Sequence, residues 1–347
     1  MALNRGRWAG LLLLSVALLP VTASAEAAVS PRERLSHMVE ALRNLDYSGE
    51  FTFERGGQLQ ALRVAHRVEN GVEKERILFL NGEHREIIRD GHKLSCIHPG
   101  QKLVSLQQPI DAGKFFAGEQ VADYDIQSYY RVVVSGRARI ADRDVVKITV
   151  EPRDAYRNGY QFYLDKEHNI PLKSVLFSSD GQILERFQFV SISFDRVTPK
   201  MVAPSENSFV QAHHHTPEGT QALASNVSMQ PQWLPVGFKV AARSVDRIAG
   251  YGAEVTTYTD GLATLSLVVE PISSSVKVPQ DLEGKARFGG TVALTRTYFI
   301  GQQAFLISVV GEVPVITAAK VARSVVLQYK KPQQAADKQP AKKSVTQ

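Results

Sequence analysis

The hydrophobic pattern of this chain changes character several times. An apolar run from Trp8 to Leu19 follows Arg5 and Arg7 and is closed by Pro20 and Ala23-Ser24-Ala25. Charged start, short apolar stretch and small residues together predict a secretory signal peptide, residues 1–25, cleaved after Ala25. The run is shorter than the ~20 apolar residues that span a bilayer. Next, Leu35, Met38, Val39, Leu42 and Leu45 recur at helical spacing behind Ser30, Pro31 and Glu33. Those three residues suit an N-cap, a first helical position and the third member of a capping box. The stripe predicts a helix lying on other structure. The pattern then switches to period two, with Tyr47, Phe51 and Phe53 on one face and Ser48, Glu50, Thr52 and Glu54 on the other, as in a half-buried strand.

Beyond that strand, turn dipeptides punctuate strand-like runs at Asn70-Gly71, Asn81-Gly82, Asp90-Gly91, Pro99-Gly100 and Asp180-Gly181. Such spacing predicts an antiparallel sheet of hairpins. Ile77-Leu78-Phe79-Leu80 is apolar on both faces, which implies a sheet covered on one side and curved around something on the other. Phe187 and Phe189 share one parity and Ile192 and Phe194 the other, so a bulge is expected near Val190. Periodicity fades between 199 and 230 among Pro, Ser, Asn, His and Thr, which reads as a linker. Order resumes at Trp233 and predicts a small sheet, with a hairpin at Asp260-Gly261 and one closing helix after Pro314.

Removing the signal from the 347 residues leaves a chain long enough for two domains at about 150 residues each. The formal charge of +6 falls to +4 with the loss of Arg5 and Arg7. Much of the excess sits in 330–347, where Lys330, Lys331, Lys338, Lys342 and Lys343 stand among Pro, Gln and Ala, a disordered basic tail by composition. The single cysteine, Cys96, has no partner for an internal bridge and lies in a strand-like run, as a small buried hydrophobe would.

A search for chemistry returns little. Gly-x-Ser-x-Gly, His-Glu-x-x-His, paired Cys motifs and a phosphate loop are all missing, and Gly56-Gly57 is better read as a hairpin turn. His213-His214-His215 lacks partners at ligand spacing and reads as a polar run. No catalytic residue, metal or cofactor is therefore expected. What stands out is a set of aromatic residues on strands, Tyr47, Phe51, Phe53, Phe79, Phe162 and Phe187. Together they are candidates to line an apolar cavity, and singly each is a candidate core residue.

Four stretches carry a resemblance: Leu45-Asp46-Tyr47-Ser48-Gly49-Glu50-Phe51, Trp233-Leu234-Pro235-Val236-Gly237-Phe238, Tyr258 through Ser266, and Val310-Gly311-Glu312-Val313-Pro314. In these the chain resembles the RseB/MucB family of periplasmic negative regulators of sigma-E envelope-stress signalling. The resemblance implies an α+β, mainly β fold: an N-terminal open β-barrel with covering helices like LolA and LolB (26–198), a linker (199–230), and a smaller C-terminal antiparallel sheet domain with one helix (231–329). It also implies a periplasmic protein that binds the periplasmic region of an RseA- or MucA-like anti-sigma factor. Binding would shield that factor from site-one proteolysis, and lipopolysaccharide or another acyl-chain lipid would relieve the shield. The N-terminal domain would sense lipid and the C-terminal domain would hold the partner, with Trp233, Phe238, Tyr258 and Tyr298 as candidate exposed aromatic anchors, Trp233 and Phe238 being candidates for the core as well. A lipid or lipoprotein carrier is the alternative, but a carrier has no evident need for the second domain.

Overall fold

The computed structural model describes residues 29–91, 93–97, 104–106, 124–205, 227–248, 251–273 and 275–329. The signal peptide, the Pro99-Gly100 turn, the His213–His215 run and the basic tail lie outside the described residues. No helix among the described residues is long and apolar enough to cross a membrane.

The chain starts with α1 (Pro31–Asn44), and its predicted cap is present: Ser30 Oγ accepts from Glu33 N at 3.2 Å and Glu33 Oε2 from Ser30 N at 3.4 Å. Two of the four orphan donors of the first turn are thereby used. Eleven strands follow: β1 (Tyr47–Arg55), β2 (Gln58–Glu69), β3 (Val72–Phe79), β4 (Glu86–Asp90), β5 (Lys93–Ile97), β6 (Val104–Leu106), β7 (Tyr130–Ile140), β8 (Arg143–Pro152), β9 (Gly159–Asp165), β10 (Pro171–Phe177) and β11 (Ile183–Ser193). They form one antiparallel sheet in the order β6-β5-β4-β3-β2-β1-β11-β10-β9-β8-β7. Two meanders are thus joined by pairing the first strand with the last. The sheet curls so that α1 touches both β2 and β7 and seals its concave face.

Leu35, Met38 and Val39 of α1 pack with Ile148, Tyr160 and Phe162, while Ala41 packs with Tyr47, Phe51, Phe79 and Phe187. The bulge falls where parity placed it: Glu50 faces Ser191 and Phe51 faces Phe189, leaving Val190 as the extra residue. The Gly56-Gly57 turn joins β1 to β2 with both glycines at positive φ, the conformation a two-residue hairpin with the sheet's twist requires.

Part of the segment read as a linker is folded. Pro199–Val202 forms α2, whose Val202 packs with Val197 and Ala65 on the convex face, and Val227–Pro231 forms β12. The chain is pinned just past α2 by Glu86, whose side chain is fully buried. It accepts from Arg76 Nε at 2.9 Å and Ser205 N at 3.2 Å, and lies 2.9 Å from His84 Nε2. Burial pushes the Glu86 carboxyl up, but hydrogen bonds from Ser205, Arg76 and His84 win and hold it down to about 2. A carboxyl depressed in the folded state stabilises the fold above its unfolded pKa, and that contribution is lost as pH falls through the folded value. The relevant window runs from pH 4.5 down to about 2. Glu86→Gln is expected to cost about 2 kcal/mol at neutral pH, the worth of hydrogen bonds to a charged group, and to flatten this acid limb in urea denaturation measured against pH. An unchanged limb would contradict the assignment.

The C-terminal part holds β13 (Lys239–Ile248), β14 (Tyr251–Thr259), β15 (Thr264–Pro271), β16 (Glu283–Phe288), β17 (Thr291–Ile300), β18 (Gln303–Gly311), α3 (Val315–Arg323) and β19 (Val325–Tyr329). Six strands make an antiparallel sheet in the order β13-β14-β15-β18-β17-β16, and β12 pairs with β19 beside it. Ala318, Val321 and Ala322 of α3 cover Leu265, Leu267, Ile307 and Val309. This is the small sheet with one closing helix that the sequence pattern predicts.

Candidate functional site

The segments that carry the resemblance in the C-terminal part turn one side toward the N-terminal sheet. The loop before β13, the β14–β15 turn and the β18–α3 corner all meet the β8–β9 loop and the start of β7. At their centre is Arg157, fully buried on the β8–β9 loop, paired with Asp260, fully buried on the β14–β15 turn. Arg157 Nη1 donates to Asp260 Oδ2 at 2.7 Å, Nη2 to the Val236 carbonyl at 2.8 Å, and Nε to Asp154 Oδ1 at 3.1 Å. Asp260 Oδ2 also accepts from the Tyr130 hydroxyl at 3.0 Å, and Oδ1 from the Leu262 and Ala263 amides at 3.0 and 2.8 Å. Tyr129, Tyr130 and Phe238 present their rings to the guanidinium at 5.0 to 5.6 Å. Both ions therefore have the full set of partners that a buried charge requires.

Burial is the largest influence on Asp260 and raises its carboxyl pKa; Arg157, the two amides and Tyr130 pull it back. Burial likewise raises the Tyr130 phenol well above its ordinary value, so Tyr130 stays a donor.

Around this centre the seam continues. Asn158 Nδ2 donates to the Glu312 carbonyl at 3.2 Å and Thr317 Oγ1 to the Tyr156 carbonyl at 2.8 Å. Tyr156 meets Trp233 edge to face with ring centroids 4.9 Å apart, and Lys320 Nζ lies 4.0 Å from the Trp233 ring centroid. Gly237, at φ +96°, faces the Tyr129 ring where a Cβ would come within 2.3 Å, so this close approach requires glycine. A second pin lies at the β16–β17 turn, where Glu185 accepts from Gly290 N at 2.9 Å and from Arg55 Nη2 at 3.1 Å. Beside it a cleft of about 340 Å³ opens between Glu54, Gly57, Ile183, Arg287 and Gly289.

The expected anchors are distributed unevenly. Trp233 and Phe238 belong to the seam, but Tyr258 and Tyr298 do not. Phe238 and Tyr258 are buried and Trp233 and Tyr298 half-buried, all four against the C-terminal core, which corrects the expectation of exposed rings. The reason is packing from two sides: all four rings join the cluster that α3 closes, and Arg157 and Tyr156 of the N-terminal part lie against Phe238 and Trp233. Tyr47, Phe51, Phe53, Phe79, Phe162 and Phe187 are likewise buried, the first four and Phe187 in one cluster and Phe162 in another.

Asp165, Glu167 and His168 bring ligand-type atoms within 4.8 Å of one another. The Arg143 guanidinium already occupies that space, with Nε 2.6 Å from Asp165 Oδ2 and Nη2 2.6 Å from Glu167 Oε2, so the group is an ion-pair cluster.

Sequence reasoning missed Arg157, Asp260, Tyr130 and Tyr156. Asp260-Gly261 was legible as a turn, but nothing in a single sequence links it to an arginine 103 residues away.

Comparison with known proteins supplies the context. A family model described as the MucB/RseB N-terminal domain matches residues 30–207, and one described as the MucB/RseB C-terminal domain matches 224–326. The chain is 30% identical to the sigma factor AlgU regulatory protein MucB of Pseudomonas aeruginosa over 91% of its own length and 95% of the relative's. It is 25% identical to the sigma-E factor regulatory protein RseB of Escherichia coli K12 over 92% and 97%. Among solved structures, the Pseudomonas aeruginosa MucA/MucB complex matches with a TM-score of 0.68 and 29% identity, covering 88% of this chain and 99% of the other. A crystal structure of MucB matches with 0.59 and 27%, covering 84% and 96%. The family models and relatives define the class, a periplasmic regulatory protein of sigma-factor signalling. The chain belongs to the MucB/RseB family.

Proposed function

We propose that this protein binds the periplasmic region of a membrane-anchored anti-sigma factor of the MucA/RseA type and shields it from site-one proteolysis. An acyl-chain lipid, such as that of lipopolysaccharide, entering the N-terminal domain relieves the shield. Residues 26–198 sense the lipid and 231–329 contribute the partner surface, with Trp233 and Phe238 acting through the seam. The observation that supports this most is the likeness, along nearly the whole chain, to solved MucB bound to MucA. The chain superposes on MucB in complex with MucA(peri) at a TM-score of 0.66 and on the MucA/MucB complex at 0.68, each over 88% of its length. We read the closed seam, which fixes the two domains to each other, as the arrangement that holds the partner.

The N-terminal sheet supports the lipid part as an open barrel of the LolA/LolB kind. Its end strands β6 and β7 are far apart in the pairing order, and α1 seals an aromatic interior. With those rings packed against α1, an acyl chain enters only by displacing the helix. Lipid entry and partner release are then coupled, and coupling between two ligands is reciprocal. Titrating the anti-sigma periplasmic region with and without an acyl-chain amphiphile below its micelle concentration is expected to show about tenfold weaker binding with it, about 1.4 kcal/mol. The partner should weaken the amphiphile by the same factor. Unchanged partner affinity while the amphiphile is bound would defeat the sensing part, and no partner binding in either arm would defeat the whole.

A further inference from the structure

A sheet that does not close leaves backbone donors and acceptors unpaired along its end strands, and native proteins blunt such edges with bulges, short strands or cover. Here β6 is three residues long, β7 and β13 each carry a bulge, and the β12–β19 ribbon packs Met229 and Val325 into the C-terminal core. β16 has none of these devices. It runs from Glu283 to Phe288 with no break in its register against β17, and all six of its residues are exposed.

The register also fixes which of its backbone groups are free. Thr297 N donates to the Leu282 carbonyl at 3.1 Å, and Leu282 stands opposite Thr297 one step before the Glu283–Arg296 pair. In an antiparallel ladder, hydrogen-bonded pairs recur at every second residue. Gly284, Ala286 and Phe288 therefore bond to β17, while Glu283, Lys285 and Arg287 turn their N–H and C=O groups outward, in the pattern that a further strand would pair.

The charge left over on this edge is positive. Glu283 is engaged by Arg323 Nη2 at 3.6 Å, which leaves Lys285 and Arg287, and these form no ion pair among the described residues. Arg287 Nε donates to the Gly289 carbonyl at 3.1 Å, and its charge acts on Asp180 only as the last of the influences that lower that carboxyl. The edge also ends at the boundary between the domains. Arg287 and Gly289 form one wall of the cleft of about 340 Å³ whose other wall, Glu54, Gly57 and Ile183, belongs to the N-terminal sheet. Phe288 lies over Gly56, and the Arg55 guanidinium is 5.8 Å from its ring centroid.

We propose that an extended, acidic segment of the anti-sigma periplasmic region docks on β16 as a seventh strand of the C-terminal sheet, with one end in this cleft. The inference rests on the partner proposed above and adds the mode of binding, strand addition to an open edge. Charge selects the occupant. Acids two residues apart on the added strand face Lys285 and Arg287 across the edge, where opposite charges attract. A second copy of the chain, paired edge to edge through all three outward residues, sets Lys285 against its own counterpart, and its Glu283–Arg287 pairs form only by taking Glu283 from Arg323. Because the cleft has a wall from each domain, a segment seated there touches both.

The test is amide hydrogen exchange of the full mature chain, read residue by residue by NMR with and without saturating anti-sigma periplasmic region. The outward amides of Glu283, Lys285 and Arg287 are expected to slow about tenfold or more on binding, while those of Gly284 and Ala286, already bonded to β17, change little. Lys285→Glu with Arg287→Glu alters only exposed side chains and should weaken partner binding about tenfold. Arg137→Glu with Lys166→Glu, equally exposed and equal in charge change, should leave it unaltered. Partner binding without slowing at the outward amides, or equal affinities of the two double variants, would overturn the edge site and leave the proposed function standing. Slowing that appears without partner and grows with protein concentration would place a second copy on the edge and overturn the proposal too. No binding of the partner by the parent chain would defeat the partner assignment and this inference together.

Discussion

Replacing Arg157 with methionine is expected to destabilise the protein by about 3–5 kcal/mol, because it leaves the buried Asp260 carboxylate without its counter-ion. Asp260 is fully buried, and the change removes one of its four hydrogen bonds together with the positive charge. The Val236 carbonyl loses its donor in the same step. A surface ion pair would cost about 1 kcal/mol or less, so the size of the loss distinguishes a buried lock from ordinary surface charge. Adding Asp260→Asn should recover a large part of the loss, since asparagine brings no buried charge and its oxygen can still accept from the Leu262 and Ala263 amides. Urea denaturation of the two variants measures this directly, and a loss under 1 kcal/mol for Arg157→Met would refute the lock. The same experiment bears on how the domains move. A freely reorienting second domain on a tether would leave nothing at the seam to break. The structure instead requires that reorientation open the Arg157–Asp260 pair and uncover Tyr130 and Trp233. Domain separation followed by small-angle scattering should therefore increase in Arg157→Met and anti-sigma affinity should fall.

Phe51→Ala is expected to cost about 3–5 kcal/mol, the range for removing a buried aromatic side chain. Phe51 is 2% exposed and lies 4.9 Å from Phe187 and 5.7 Å from Phe189, centroid to centroid. Had the ring lined an open lipid cavity, its truncation would remove little packing, cost well under 1 kcal/mol and act mainly on lipid affinity. The structure supports the first outcome for the closed form, and thermal or urea denaturation decides between them. The void left behind would be apolar and dry, so a short-chain amphiphile is expected to bind Phe51→Ala more tightly than the parent. A small stability loss with weakened amphiphile binding would show that the interior opens more readily than the packing implies.

Legibility followed the range of the interaction. The capping box of α1, the Gly56-Gly57, Asn70-Gly71 and Asp90-Gly91 turns and the bulge at Val190 depend on residues a few positions apart or on the parity of one strand. Each of them can be read from a short window. Family membership was legible for the same reason, since it rests on short stretches such as Trp233-Leu234-Pro235-Val236-Gly237-Phe238. The reading of Trp233, Phe238, Tyr258 and Tyr298 as exposed failed because burial depends on what packs over a strand, and that comes from elsewhere in the chain.

By itself, then, the sequence determined the helix, the hairpin meander, the small second sheet with its closing helix, and the absence of a recognisable catalytic motif, all consequences of local periodicity and turn chemistry. Only the tertiary structure decided that β1 pairs with β11, that the aromatic rows close on α1, and that Arg157 enters a socket made by Asp260 and Val236. The physical reason is that an arginine in Tyr156-Arg157-Asn158-Gly159 has the composition of a solvated loop. Its burial is affordable only because partners 79 and 103 residues away supply the hydrogen bonds that replace water.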